Sequence, residues 1–125
     1  MDYNVISGNI LDACITVHRI MGPGLLESIY EQCLMKEFEL RGIPAQNQVP
    51  VSLTYKGFIL SKDFKIDILV VNEIILELKS SERIHPVNEA QIISYLKLTD
   101  KKLGFLVNFN VALMKDGFKR YVNNF

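Results

Sequence analysis

Phe64-Lys65-Ile66-Asp67-Ile68-Leu69-Val70-Val71-Asn72-Glu73-Ile74-Ile75-Leu76-Glu77-Leu78-Lys79 is the stretch that decides this fold. Two runs dense in Ile, Leu and Val, the first starting back at Phe58, flank the polar pair Asn72-Glu73. That composition predicts adjacent strands covered on both faces. Yet Asp67 interrupts the first strand, and Glu77 and Lys79 interrupt the second. Alternation puts Glu77 and Lys79 on one face and Leu76 and Leu78 on the other. Buried charge is costly unless it is paired or bound to a metal, so all three residues need partners.

Two readings of these charges stand side by side. One is a structural ion pair, Asp67 or Glu77 with Lys79. The other is a catalytic centre. Carboxylates from neighbouring strands are hard oxygen ligands for Mg²⁺ or Mn²⁺, and a Lys two residues on can orient a water or stabilise charge growing on phosphate. Spacing alone does not separate them, because acid-x-Lys also occurs at Asp63-Phe64-Lys65 and Asp100-Lys101-Lys102. Register does. A two-residue turn at Asn72-Glu73 would pair Val71 with Ile74 and set Asp67 opposite Leu78, on the wrong face. The catalytic reading requires an odd-length loop or a bulge, with Asp67 opposite Glu77 or Lys79. Asn72 tolerates the left-handed backbone such a loop uses.

Upstream, Ile10, Cys14, Val17 and Met21 repeat at helical spacing, with Asn9 or Asn4 as caps. Gly22-Pro23-Gly24 ends that helix. A second helix is predicted from about Leu25 to Arg41, with Leu26, Tyr30, Leu34 and Phe38 inward. Glu27, Tyr30 and Glu31 share one of its sides; Glu27 also suits a helix N-terminus, and Glu31 reads equally as solvated. Val49, Val51, Leu53 and Tyr55 alternate with polar residues in a strand that Pro50 places at a sheet edge. Downstream comes a helix from about Val87 to Leu98, with Gln91 and Tyr95 on one face. Strands at Leu103–Phe109 and Phe118–Val122 follow, the first predicted parallel to Ile74–Lys79 through a crossover.

The chain has 125 residues, 14 Lys+Arg and 14 Asp+Glu. Its length fits one domain over residues 1–125. Zero net charge removes bulk attraction to nucleic acid, so such binding needs local charge or a bound cation. Lys62, Lys65, Arg83, Lys97, Lys101 and Lys102 are the candidates for a basic rim. Cys14 and Cys33 read as buried reduced thiols. With no signal-like or membrane-spanning run, the expected location is cytoplasmic.

Gly24-Leu25-Leu26-Glu27-Ser28-Ile29-Tyr30 resembles the signature of the GxxExxY proteins, small bacterial and archaeal members of the PD-(D/E)XK nuclease superfamily. The likeness continues through Val17-His18-Arg19, Gly22-Pro23-Gly24, Gln48-Val49-Pro50-Val51, Tyr55-Lys56-Gly57, Asp67 and Glu77-Leu78-Lys79. It extends to Gln91-Ile92-Ile93-Ser94-Tyr95, Asn108-Phe109 and Lys115-Asp116-Gly117. The resemblance implies a restriction-endonuclease-like α/β fold, an α-β-β-β-α-β core with a mixed central sheet flanked by helices. It implies Asp67 and Glu77 as metal-binding acids, Lys79 as catalytic lysine, Gln91 as a supporting helix residue and Glu27 as a further acid. Tyr30, Glu31 and Tyr95 are supporting candidates. The chain departs from the pattern at Ile66, where the superfamily's name has Pro, and at Lys65, where relatives often carry Arg.

The expected function is therefore Mg²⁺- or Mn²⁺-dependent hydrolysis of phosphodiester bonds in nucleic acid, DNA or RNA. The alternatives are a module on the same fold that binds nucleic acid or protein without turnover, and an interaction domain using Phe105–Phe109 and Val111–Met114 as apolar surface. A homodimer suits a chain this small, although no residue pattern specifies one.

Overall fold

The computed structural model describes residues 2–124, with side chains at all of these except 61–63. Helices α1 (Tyr3–Met21) and α2 (Glu27–Leu40) lead into strands β1 (Ala45–Tyr55), β2 (Phe58–Val70) and β3 (Ile74–Lys79). Helix α3 (Pro86–Thr99), strand β4 (Leu103–Asn108), the one-turn helix α4 (Met114–Gly117) and strand β5 (Phe118–Val122) complete the order. The short α4 has no counterpart in the sequence expectation.

Helix α1 begins seven residues before Ile10. Its cap is Asp2, whose Oδ1 accepts the N–H groups of Asn4 (3.0 Å) and Val5 (3.2 Å), rather than Asn4 or Asn9. Such a cap satisfies donors that helix termini leave open. At the other end Gly22, with φ +74°, turns the chain and donates to the His18 carbonyl. Arg41 then ties α1 to α2 through Glu37 and Asp12, each at 2.6 Å, and Thr16 at 2.9 Å.

The five strands lie in chain order, β1-β2-β3-β4-β5. Only the β3–β4 pair is parallel, joined by the α3 crossover, and β1 with its Pro50 occupies an edge. Helices α1 and α2 cover one face, packing Cys14, Tyr30, Leu34 and Phe38 onto Ile68, Val70, Leu76 and Leu78. On the other, Ile92, Tyr95 and Leu96 of α3 pack onto Val51, Ile66, Leu69 and Ile75. Strand β2 changes allegiance at Asp67: Ile66 belongs to the α3 cluster and Ile68 to the α1–α2 cluster.

Several apolar assignments differ from expectation. Leu26 precedes the first turn of α2 and is 75% exposed, so it is no part of the inward stripe. Met21, at the last turn of α1, is likewise exposed, and Cys33 is only partly buried. Phe58, Ile59 and Leu60 are exposed because that end of β2 has no neighbour other than β1. Conversely, Phe105–Phe109 is fully interior, since β4 lies between β3 and β5 with helices on both faces; it offers no docking surface.

The β2–β3 connection has three residues, Val71-Asn72-Glu73, because Val70 pairs with Ile74. Val71 and Asn72 both have left-handed φ, +47° and +59°, and Glu73 N–H closes the turn on the Val70 carbonyl at 3.0 Å. Left-handed φ costs an L-residue roughly 1–2 kcal/mol, least for Asn and Gly. Val71 is held there by its N–H bond to the Pro44 carbonyl (2.8 Å) and by packing at the rim of the α1–α2 core. Replacing Asn72 with Ile places a second β-branched residue in that region. Thermal unfolding of Asn72→Ile is expected to show a loss of about 1 kcal/mol, with Asn72→Gly close to wild type. Equal stability of Asn72→Ile and wild type would contradict this account of the turn.

Candidate metal and catalytic site

The odd-length loop sets the parity of everything downstream. The β2–β3 ladder runs Val70↔Ile74, Leu69↔Ile75 and Ile68↔Leu76; Asp67 and Glu77 are the residues that follow its last pair, and their side chains are close enough to interact. Asp67 Oδ2 accepts the Leu78 N–H at 2.8 Å, which fixes its carboxylate against β3. Glu77 is 6% exposed, and its Oε1 is buried without a hydrogen-bond partner. Burial, then the neighbouring Asp67 charge, pushes the Glu77 carboxyl up to about 9. The two groups are close enough for a proton on Glu77 to be shared with Asp67. Asp67 is also raised, chiefly by burial and further by Glu31 and Glu27, against the lowering effects of the Leu78 N–H and Lys79.

Lys79, at the end of β3, is partly buried and attracts both carboxylates. Among the described residues, ion pairs within 4 Å join Lys36–Glu39, Arg41–Asp12, Arg41–Glu37 and Lys119–Glu89, and none joins Lys79 to either acid. The structural ion pair that competed with the catalytic reading is therefore not formed. A buried acid with one oxygen unpartnered and another acid as its neighbour is the reverse of what a stabilising salt bridge requires.

Helix α2 brings Glu27 and Glu31 to the Asp67 side of this cluster. Glu27 is exposed on the first turn. Glu31 is held one turn later by the side-chain amides of Asn47 (3.1 Å) and Gln48 (2.6 Å), so it is not merely solvated. Tyr30 lies elsewhere. It is fully buried and stacked on Phe109 with ring centroids 4.2 Å apart. Its hydroxyl donates to the Gly22 carbonyl (2.5 Å) and accepts from Leu25 N–H (3.1 Å). Tyr30 thus builds the turn that delivers Glu27 and stays away from the charges. On α3, Gln91 Nε2 donates to the Tyr95 hydroxyl at 2.9 Å. Burial raises the Tyr95 phenol, as do Glu77 and Asp67, while the Gln91 bond opposes them.

Asn108, named from the sequence only as part of the family likeness and given no role there, is a polar residue that shapes the site. It is buried at the end of β4, where its Oδ1 accepts from Ser81 and Asn110 N–H and its Nδ2 donates to the Ser81 carbonyl. The chain leaving Lys79 is thereby held, together with the Ser80 hydroxyl bond to the Leu25 carbonyl. A polar residue closing the apolar run Leu103–Phe109 was the available signal, the same one that marked Asp67 and Glu77.

The basic rim is only partly realised. Lys97, Lys101 and Lys102 end α3 or precede β4, and Lys101 Nζ bonds the Asn72 carbonyl (2.9 Å) at the far end of β3. Ile74, the first residue of β3, stands three positions before Glu77, about 10 Å at the usual rise, and Asn72 lies beyond it in the turn. Lys65 and Arg83 are exposed on segments adjoining the site; the Lys62 side chain lies outside the described residues.

Among the described residues, no three His, Cys, Asp or Glu side chains converge tightly enough to hold a metal by themselves. Mg²⁺ needs fewer: one or two carboxylates plus waters and substrate phosphate suffice. Asp67 and Glu77 are such a pair: one Glu77 oxygen is unpartnered and both acids are raised, so full ionisation of the pair is disfavoured and a cation would favour it. The residues present fit a divalent ion.

A family model described as the PD-(D/E)XK nuclease superfamily matches residues 4–121. Comparison with curated proteins and with solved structures returned no match. Nucleases of that superfamily typically use divalent metals. Among the described residues, no helix is long and apolar enough to cross a membrane.

The raised acidities have a sign that can be checked without any substrate. A carboxyl whose folded pKa lies above its unfolded value stabilises the fold fully below the unfolded value, and that contribution is lost as pH rises through the folded one. For Glu77 the window runs from 4.5 to about 9. In chelator, wild type is expected to lose stability relative to Glu77→Gln across that window, and Mn²⁺ affinity is expected to rise across it as the metal displaces protons. Parallel pH–stability curves for the two proteins would contradict the assignment.

Proposed function

Because the chain belongs to the PD-(D/E)XK nuclease superfamily, we propose that it is a divalent-metal-dependent phosphodiesterase acting on nucleic acid. The observation that carries this reading is Glu77 Oε1, buried and unpartnered beside Asp67 and two residues before Lys79. Asp67 and Glu77 would hold Mg²⁺ or Mn²⁺. When bound, such an ion stabilises negative charge on phosphate and lowers the pKa of water.

The chain's own residues supply the rest. The Leu78 N–H fixes one Asp67 oxygen, so the carboxylate is oriented before any ligand arrives. Lys79 shares the face of Glu77, where its ammonium donates to the attacking water or to the phosphate oxygen on which charge grows. Gln91, oriented by Tyr95, presents its side-chain amide from α3. Glu27 and Glu31 deepen the negative potential on the α2 side. In a chain of zero net charge, substrate affinity then depends on the bound cation.

The test is a panel of single- and double-stranded DNA and RNA incubated with Mg²⁺ or Mn²⁺. Wild type is expected to cleave, and chelator to abolish cleavage. Asp67→Ala should lose both Mn²⁺ binding and activity. Lys79→Ala should keep Mn²⁺ affinity within a few-fold and lose roughly 10²-fold or more in rate. Chelator-insensitive cleavage or full activity of Lys79→Ala contradicts the mechanism. Metal-dependent binding with no cleavage of any substrate replaces it with the binding-module reading.

A further inference from the structure

The β1–β2 hairpin outruns the sheet that carries it. Strand β2 is 13 residues long, but its ladder with β3 ends at Ile68↔Leu76, whereas its pairing with β1 continues to Tyr55↔Phe58. Past Ile68↔Leu76 the β2 residues pair with β1 alone. From Phe64 to its tip, the hairpin therefore projects as a two-stranded arm beyond the end of the sheet where Asp67, Glu77 and Lys79 lie. Six residues of strand give that arm a length of about 20 Å.

The tip is Tyr55-Lys56-Gly57-Phe58. Lys56 and Gly57 have φ of +49° and +84°, the signature of a tight hairpin turn, and Lys56 Nζ sits 5.5 Å from the centre of the Tyr55 ring. Cover from α3 stops at the Val51–Phe64 pair. Beyond it Tyr55 is 59% exposed, Phe58 70% and Ile59 69%. A long strand pair ending in bare aromatics is an aggregation hazard unless a partner covers it.

Two observations say what the partner is. The arm is continuous with the candidate site: β2 carries Asp67, and Phe64 at the arm's root meets the Tyr95 ring edge-on, with centroids 6.1 Å apart, while Tyr95 holds Gln91. The arm also carries slightly more positive than negative charge. Residues 51–64 contain two Lys, one Asp and neither Glu nor Arg, in a chain that is neutral overall. Aromatics flanking a lysine at the end of an arm whose strand runs back to Asp67 suit nucleic acid, the ring faces taking bases and the ammonium taking phosphate. A duplex buries base faces in its own stack, so the chemistry selects unpaired bases.

We propose that the β1–β2 arm is a grip for single-stranded nucleic acid, stacking unpaired bases on Tyr55 and Phe58 at its tip, nine strand positions or about 30 Å from Asp67; it rests on the nuclease reading for where the strand leads. The test is fluorescence anisotropy in Ca²⁺ with oligo-dT and oligo-U of roughly 20 nucleotides, the matching duplexes, and an abasic strand of equal length. Wild type should bind the single strands at least about ten-fold more tightly than the duplex or abasic strand. Tyr55→Ala/Phe58→Ala should lose about 10- to 100-fold on single strands only, and Tyr55→Trp/Phe58→Trp should restore the loss. Both positions are exposed, and unchanged circular dichroism and melting confirm that the fold is intact. Equal affinity of the Ala variant, equal affinity for the abasic strand, or no binding by wild type overturns the proposal. Loss of a dimer with unchanged nucleic-acid affinity overturns it too and assigns the tip to a second copy. Tip-dependent binding without cleavage upholds the arm while the nuclease reading fails; cleavage with a KM insensitive to the tip does the opposite.

Discussion

Facing carboxylates on neighbouring strands exist here because three residues, not two, connect β2 to β3. Side-chain direction in a strand has a period of two, so removing one residue from that connection would carry Asp67 to the opposite face. The turn that keeps the count odd requires left-handed backbone at Val71 and Asn72, the former a β-branched residue poorly suited to it. The fold accepts that local cost, tethering Val71 to the Pro44 carbonyl, and in return Asp67 meets Glu77 within reach of the Leu78 N–H. The helices and the crossover are arranged around this one alignment.

What the alignment produces is a poor way to stabilise a protein. Two carboxylates are brought together in a largely buried setting, one with an unpartnered oxygen, and two more acids stand behind them on α2. Were stability the purpose, Lys79 would close an ion pair, or apolar side chains would fill the position at lower cost. In the reading proposed above, the partner that this cluster of perturbed acids takes is a cation. The surroundings are rigid in the way such a site demands. Tyr30 locks the turn before α2, Asn108 clamps the loop after β3, and Gln48 and Asn47 hold Glu31.

The order of the strands, the edge position forced by Pro50, and the parallel β3–β4 pair were all legible in periodicity and chain order. So was the suspicion attached to Asp67, Glu77 and Lys79, since a charge in an apolar strand is conspicuous. Loop parity was not legible, because Asn72-Glu73 accommodates either count and Val71 gives the wrong hint for a turn. Hydropathy also failed wherever the answer depended on how far a neighbour extends. Phe58-Ile59-Leu60 reads as core by composition, yet β3 and α3 both stop short of it. Phe105–Phe109 reads equally as surface or interior until β5 is seen to flank it. Tyr30 and Glu31, both supporting candidates, part company for a related reason. Adjacent on one helix, they differ by which neighbour each meets, the Gly22 turn for one and the β1 edge for the other.

The central claim is that Asp67 and Glu77 together form a divalent-cation site, and paramagnetic broadening by Mn²⁺ tests it without any assumption about substrate. In a ¹⁵N-resolved spectrum at mildly alkaline pH, substoichiometric Mn²⁺ is predicted to broaden the amides around Asp67 and from Glu77 to Lys79 first, and to lose that selectivity in Asp67→Ala. Broadening centred elsewhere, or the same pattern persisting in Asp67→Ala, would contradict the account.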